Sequence, residues 1–269
     1  MKKEDAERFR NILYNSIPAG IDSAALLFSG GTDSLTVLWT LIDLGIDVTC
    51  YNFRLRHVNS RDSKVAAIAA SHWGIKLVQV ISPPQSLAEL QEDIKTVVRS
   101  IHSARKTHVE VMWGYWHLLR AIQEDHVFSG LQADTLYGTS KSMAIKYGKA
   151  PLGIFSQARL KLVSNPDQEG CRQAHMLAAL FDKHLHTPYT GDSMRGFMTE
   201  FSWKQLNRPK QKMPAVLGFG NMFSQVPIYR RNDNMQCGSG IREYMKRLLS
   251  LPENKRYKRV QEVYKSYAR

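Results

Sequence analysis

Cysteine is scarce: the 269-residue chain has only Cys50, Cys171 and Cys237. They lie far apart and form no C-x-x-C pair, which argues against a disulfide framework or a zinc ribbon and fits a reducing cytoplasm. Long apolar runs are missing too. Those present, such as Ala24 to Phe28, are bounded within a few residues by Asp, Ser or Gly, far short of the roughly 20 residues a membrane helix needs. No membrane partner is expected. The N-terminus, Met1-Lys2-Lys3-Glu4-Asp5-Ala6-Glu7-Arg8, is charged and lacks the apolar stretch of a secretory signal, so export is not expected either. Internal repeats and low-complexity tracts are absent, which excludes solenoids and long linkers.

Acidic residues are outnumbered. Against 24 Asp+Glu stand 37 Lys+Arg, a formal charge of +13 that attracts ATP and polyanions alike. The charge is spread along the chain except between Lys246 and Lys265, where Lys246, Arg247, Lys255, Arg256, Lys258 and Arg259 are interleaved with Tyr257 and Tyr264. That stretch reads as a nucleic-acid contact or as an amphipathic terminal helix. With 43% apolar residues the chain can bury one core, or one core plus a smaller satellite.

The first half alternates β-type runs with helical patterns, the signature of βαβ units and a parallel sheet covered on both faces. Strands are expected at 24–28, 48–53, 76–81 and 126–129, with helices at about 33–44, 61–73, 86–100 and 109–123. Gly45 and Gly74 stop two of these helices, and Pro83-Pro84 stops the third strand. From about Gly153 the strand signal fades, and helices are expected over 168–184, 193–205 and 240–250. The expectation is a doubly wound, mostly parallel α/β domain over 1–152 and a mainly helical region over 153–269 that completes a cleft. In such a sheet the ligand crevice lies at the carboxyl ends of the strands, where the turns at Ser29 and Gly130 both fall.

The first turn, Ser29-Gly30-Gly31-Thr32-Asp33-Ser34, joins a buried strand to a helix. Its glycines let backbone N–H groups approach phosphate oxygens, and the helix N-terminus adds partial positive charge. Ser29 and Ser34 can donate hydroxyl hydrogen bonds, while Asp33 can hold Mg²⁺ or cap the helix.

These six residues resemble the S-G-G-x-D-S PP-loop of the N-type ATP pyrophosphatases, a superfamily that includes asparagine synthetases, GMP and NAD synthetases and tRNA lysidine synthase. The loop differs from a Walker A loop in having no Gly-Lys-Ser/Thr ending. The resemblance implies a HUP-type (adenine-nucleotide alpha hydrolase-like) fold, ATP and Mg²⁺ as cofactors, and cleavage between the α and β phosphates. A second segment, Ser129-Gly130-Leu131-Gln132-Ala133-Asp134-Thr135-Leu136-Tyr137-Gly138, is similar to the asparagine synthetase motif S-G-x-G-A-D-E-L-F-G-G-Y. It implies that Asp134 joins Asp33 on magnesium pyrophosphate, with Ser129 and Gly130 against the nucleotide. The motif is altered at three places: Gln132 stands for a glycine, Thr135 for the glutamate and Thr139 for the second glycine. The family's catalytic lysine has Lys210, Lys212, Arg230 and Arg231 as candidate counterparts, and the stretch Gln236 to Gly240 stands where the family has a Gly-containing loop. Phe53, at the end of the second strand, is a further nucleotide-contact candidate. Arg54, Arg56 and His57 follow it and read either as groups facing adenine or phosphate or as exposed loop charges.

The resemblance implies an AMP- and pyrophosphate-forming ligase that adenylylates a small-molecule carboxylate for attack by ammonia or an amine. No glutaminase domain with its nucleophilic cysteine precedes the motif, so the nitrogen is expected from free ammonia, a substrate amine or an ammonia-supplying subunit. Two alternatives stay open: modification of a nucleic-acid base, which the charge favours, and nucleotide binding without turnover, which the lost glutamate favours.

Overall fold

The computed structural model describes residues 1–83, 85–165, 170–225 and 235–268. Its centre is a five-stranded, all-parallel sheet in the order β3-β2-β1-β4-β5. The strands are β1 Ser23–Leu27, β2 Asp47–Leu55, β3 Lys76–Ser82, β4 His126–Ser129 and β5 His184–His186. The helices before the second turn are α1 Lys3–Asn15, α2 Thr32–Asp43, α3 Arg61–His72, α4 Leu87–Ser100 and α5 Lys106–Ala121. After β4 come α6 Ala133–Tyr137, α7 Lys141–Tyr147, α8 Leu152–Val163 and α9 Cys171–Ala179. Past β5 lie α10 Asp192–Thr199, α11 Trp203–Asn207, α12 Met213–Gly218, α13 Gly220–Gln225, α14 Met235–Gly238, α15 Ile241–Tyr244 and α16 Val260–Tyr267.

Burial on both faces explains why β1 is an uninterrupted apolar run instead of an alternating one. Successive side chains of a strand point to opposite faces. Ala24 and Leu26 accordingly join one buried cluster with Phe9 of α1, Leu38 of α2 and Ala69 of α3. Ala25 and Leu27 join a second with Ile94 of α4, Val109 of α5, Leu177 of α9 and Val263 of α16. The sheet is therefore doubly wound, as expected. Helix α2 is buried at every position from Ser34 to Leu41, so its apolar residues run round the whole helix instead of forming one stripe.

Two features differ from the expectation and one lay outside it. The charged N-terminus forms α1, which buries Ala6, Phe9 and Leu13 while its charges face solvent. The stretch expected as one helix over 168–184 ends at Ala179, and three residues of β5 follow, pairing with β4. His-Leu-His is too short and too polar to stand out as a strand. The stretch expected as one helix over 193–205 is two, because Ser202 caps a new one: its hydroxyl accepts from the Gln205 N–H while the Gln205 side chain accepts from the Ser202 N–H. Chain beyond residue 152 thus adds an edge strand to the sheet and helix α9 to one of its faces.

The order places the topological switch point between β1 and β4. From β1 the chain steps outward to β2 and β3, then returns to the other side for β4 and β5. The crevice at such a point is where doubly wound sheets bind ligands. Among the described residues no helix is long and apolar enough to cross a membrane.

Candidate active site

Both Gly-containing turns meet at the switch point. Gly31 is the N-cap of α2 in extended conformation, and no side chain caps this end. The first N–H groups of a helix have no partner within it, so those of Thr32, Asp33 and Ser34 are donors for an anion. Ser29 accepts from the Gly31 N–H at 3.2 Å and lies 3.3 Å from the Ser34 hydroxyl, which donates to Gly31 O. Gly30 has φ of +73°, and a Cβ there would meet Ala66 N of α3 at 2.7 Å. Only glycine fits on both counts. A Cβ on Gly130 would sit 3.0 Å from Asp33 Cβ and 3.1 Å from its carbonyl carbon. The close approach of the β4 turn to α2 therefore depends on Gly130.

That contact brings Asp33 and Asp134 to one lysine. Lys212 Nζ lies 2.6 Å from Asp33 Oδ2 and 2.8 Å from Asp134 Oδ1. Thr139 donates a further hydrogen bond to the same Asp134 oxygen at 2.7 Å. Burial pushes the Asp33 carboxyl up to about 6, against the opposing pull of Lys212, and Asp134 adds to the rise. Asp134 is 58% exposed on its side chain. Partial desolvation by its neighbours works upward, but Lys212 and Thr139 hold it net below the usual carboxylate range. Lys212 is raised, since the two carboxylates outweigh its desolvation. Tyr137 lies under the ammonium, with its ring centroid 5.9 Å from Nζ. Tyr189 is buried beside Tyr137 and shares a 2.6 Å hydrogen bond with Thr36 of α2.

Asp134 is held by an unusual set of anchors. Helix α6 is only five residues long, and the carbonyls at its end need partners outside it. Buried Arg159 donates to Leu136 O at 2.9 Å, Asn207 to Tyr137 O at 2.7 Å and Trp203 to Gly138 O at 2.8 Å. Arg159 also donates to Met198 O and Phe201 O, tying α10 to the same point, and burial lowers its guanidinium to about 10.

Asp33 Oδ1 is buried without a hydrogen-bond partner. It and Asp134 make two carboxylates facing the phosphate turn, a set that suits a Mg²⁺ ion whose remaining ligands are nucleotide phosphates and water. Among the described residues no group of three or more His, Cys, Asp or Glu is arranged to hold a metal. The donors thus fit a metal carried in with its nucleotide.

The other expected residues fall as follows. Lys212, at φ of +61°, precedes α12, and Lys210 is exposed on the turn before it. Arg230 and Arg231 lie outside the described residues. The Ser129 hydroxyl is 3.1 Å from the Tyr115 hydroxyl of α5. Phe53 packs its ring against Trp113 and His117 on the α5 side of the sheet. Arg54, Arg56 and His57 line a cavity of about 440 Å³ at the ends of β2 and β3. Gly240 comes against Val58, in the loop after β2. Beside the second turn, on the β5 side, a cavity of about 300 Å³ is lined by Gln132, Cys171, Arg172, His175, Thr190 and Arg195. Gln132 is 5% exposed, has φ of +69°, and keeps Oε1 buried without a partner.

Thr139, Tyr137, Tyr189, Arg159 and the second cavity's basic residues were not singled out as functional from the sequence. Lys212 had a signal in Pro214, since proline favours the first turn of a helix and sets Lys212 at its start. The others come from segments distant in sequence, and only the fold collects them. A scan against protein-family models gives no match to this chain, and a search of curated proteins gives none either.

Proposed function

We propose that the chain is a PP-loop ATP pyrophosphatase of HUP type that adenylylates a carboxylate, releasing pyrophosphate, and passes the acyl group to ammonia or an amine with loss of AMP. The observation that carries this reading is the convergence of Asp33, Lys212 and Asp134 beneath the uncapped N-terminus of α2. A phosphate turn alone would bind many anions. A turn with two carboxylates and a buried ammonium beside it suits a polyphosphate that arrives with Mg²⁺ and departs as magnesium pyrophosphate.

In this reading the N–H groups of Thr32, Asp33 and Ser34 hold the β and γ phosphates. Asp33 and Asp134 would hold a Mg²⁺ ion brought with the nucleotide, and that ion would supply positive charge against the pyrophosphate. Lys212 exchanges part of its contact with the carboxylates for the charge that develops as the α-phosphate is attacked, and a preorganised cation in a water-poor site is the efficient form of such stabilisation. Positioning supplies most of the rest, so no protein nucleophile is needed. The acceptor carboxylate sits in the cavity beside Gln132, drawn by Arg172 and Arg195. The carboxylate oxygen attacks the α-phosphorus, the bond to the β-phosphate oxygen breaks, and the amine then attacks the acyl carbon, expelling AMP. The nitrogen donor is free ammonia, a substrate amine or ammonia delivered by a partner subunit.

The test is pyrophosphate release from ATP and Mg²⁺ across a panel of small carboxylates with ammonium, comparing the native chain with Asp33→Ala. Release that depends on one acceptor class and is lost in the variant supports the reading. Tight ATP binding with no release for any acceptor, or release of ADP and phosphate, would overturn it in favour of a binding protein or a kinase.

A further inference from the structure

The larger cavity lies outside the phosphate turn and is basic throughout its charged lining. Arg54 comes from β2, Arg56 and His57 from the loop after it, and Lys64 from α3; Ser60 and Ser63 complete the α3 side and Gln79 the edge strand β3. Among the described residues no acidic side chain lines it.

Helix α3 separates this cavity from the turn. At about 100° per residue, Ser60, Ser63, Lys64 and Ala67 fall on one stripe of the helix, and all four line the cavity. Val65 and Ala66 fall on the opposite stripe, the one Gly30 approaches. Asp62, the acid of the first turn of α3, falls on that stripe too and is buried. The cavity lining and the contact with Gly30 are therefore on opposite stripes of one helix.

We infer that this cavity binds a phosphoryl or phosphodiester group of a second molecule, distinct from the ATP held at the Ser29 turn. Two arginines and a lysine match phosphate in charge, and guanidinium groups match it in shape. The Ser60 hydroxyl and the Gln79 amide supply neutral hydrogen bonds, while the Ser63 hydroxyl is spent on Asn52 Oδ1. A position at the open edge of the sheet, beside β3, suits an extended chain as well as a single phosphate, and the net charge of +13 favours a polyanion's approach. The inference does not rest on the ligase reading, because the binding itself needs no turnover.

The experiment measures binding of fluorescein-labelled dT12 to the full chain by anisotropy at several salt concentrations. Thymidine 5′-monophosphate serves as competitor, and MgATP affinity is measured in parallel. Single-stranded binding loses about 0.7 in the slope of log affinity against log salt for each neutralised phosphate, so the triple variant Arg54→Gln/Arg56→Gln/Lys64→Gln should lower the slope by about 2. MgATP affinity should stay within twofold. A control variant, Lys255→Gln/Lys258→Gln/Lys265→Gln, carries the same charge loss in the C-terminal stretch and should lower the slope by less than half as much. Competition by thymidine 5′-monophosphate identifies a small phosphorylated ligand, and its failure with retained dT12 binding identifies a polynucleotide; both support the site. An unchanged slope in the first variant, an equal loss in the control, parallel loss of MgATP affinity, or no binding of either probe overturns it. Absence of pyrophosphate release in the assay above, with dT12 binding intact, would remove the ligase reading and leave the cavity assignment standing.

Discussion

Replacing Lys212 with Met removes the one ammonium between two carboxylates while keeping most of the side chain's volume. Asp33 Oδ1 already lacks a partner, and the substitution strips Oδ2 of its 2.6 Å contact as well. Asp33 is held at about 6 only because Lys212 opposes the effect of burial. Without the lysine the carboxyl moves higher and carries its proton at neutral pH, where it holds Mg²⁺ poorly. Loss of a single preorganised group facing transition-state charge costs about 10²–10³ in rate, or about 3–4 kcal/mol. Acceptor-dependent pyrophosphate release at pH 7.5 should fall by that factor, with ATP affinity changed less. The pH profile adds a second signature. In the native chain, release should rise through pH about 6 as Asp33 ionises, and in the variant the rise should move to higher pH. Stability follows with a definite sign. The folded-state carboxyl lies above its unfolded value of 3.8, so the folded state keeps a proton that the unfolded state has lost. The Asp33 contribution is present below pH 4 and disappears as pH rises towards about 6, amounting to about 3 kcal/mol, readable as a falling unfolding midpoint in urea over that window. A Lys212→Met chain within threefold of native activity, with its profile unmoved and Lys210→Met strongly impaired, would refute the reasoning.

Three further outcomes follow from individual contacts. Gly30→Ala forces a side chain into positive φ and towards the backbone of α3, costing about 2–4 kcal/mol in stability, with MgATP affinity lost in proportion, measured by calorimetry. Gln132→Gly removes a strained backbone and a buried unpaired oxygen, so the chain should gain about 1 kcal/mol in urea unfolding, while the Michaelis constant for the acceptor rises; unchanged stability would show that Gln132 is satisfied in solution. Arg159→Met removes the buried donor to the Leu136, Met198 and Phe201 carbonyls, which should cost about 3–5 kcal/mol and lower the melting temperature well beyond the effect of an exposed Arg8→Met.

The alternating first half was legible because buried parallel strands are continuous apolar runs and each is punctuated by Gly or Pro. Periodicity located β1 to β4 within one or two residues at most ends. It failed at β5, where edge pairing with β4 outweighs the weak propensity of His-Leu-His, and at α1, whose charges hid the spacing of Ala6, Phe9 and Leu13. That Asp33 and Asp134 lie near each other was expected from the resemblance of their two segments to family motifs, and both contact Lys212. The choice of lysine was less so: Pro214 hints at a helix start after Lys212, but only the fold, with positive φ at Lys212, turns that side chain between the two carboxylates. Thr139 stood out as a departure, and its hydrogen bond to Asp134 gives that departure a role. The cavity residues Arg172, His175 and Arg195 come from helices whose neighbours only the folded chain defines.

Calorimetric titration with pyrophosphate, with and without Mg²⁺, tests the central claim most directly, because it needs no knowledge of the acceptor. The account predicts one site that binds pyrophosphate only with Mg²⁺ present, and loss of that binding in both Asp33→Ala and Asp134→Ala chains that remain folded. Binding that is independent of Mg²⁺, or that survives both substitutions, would contradict it.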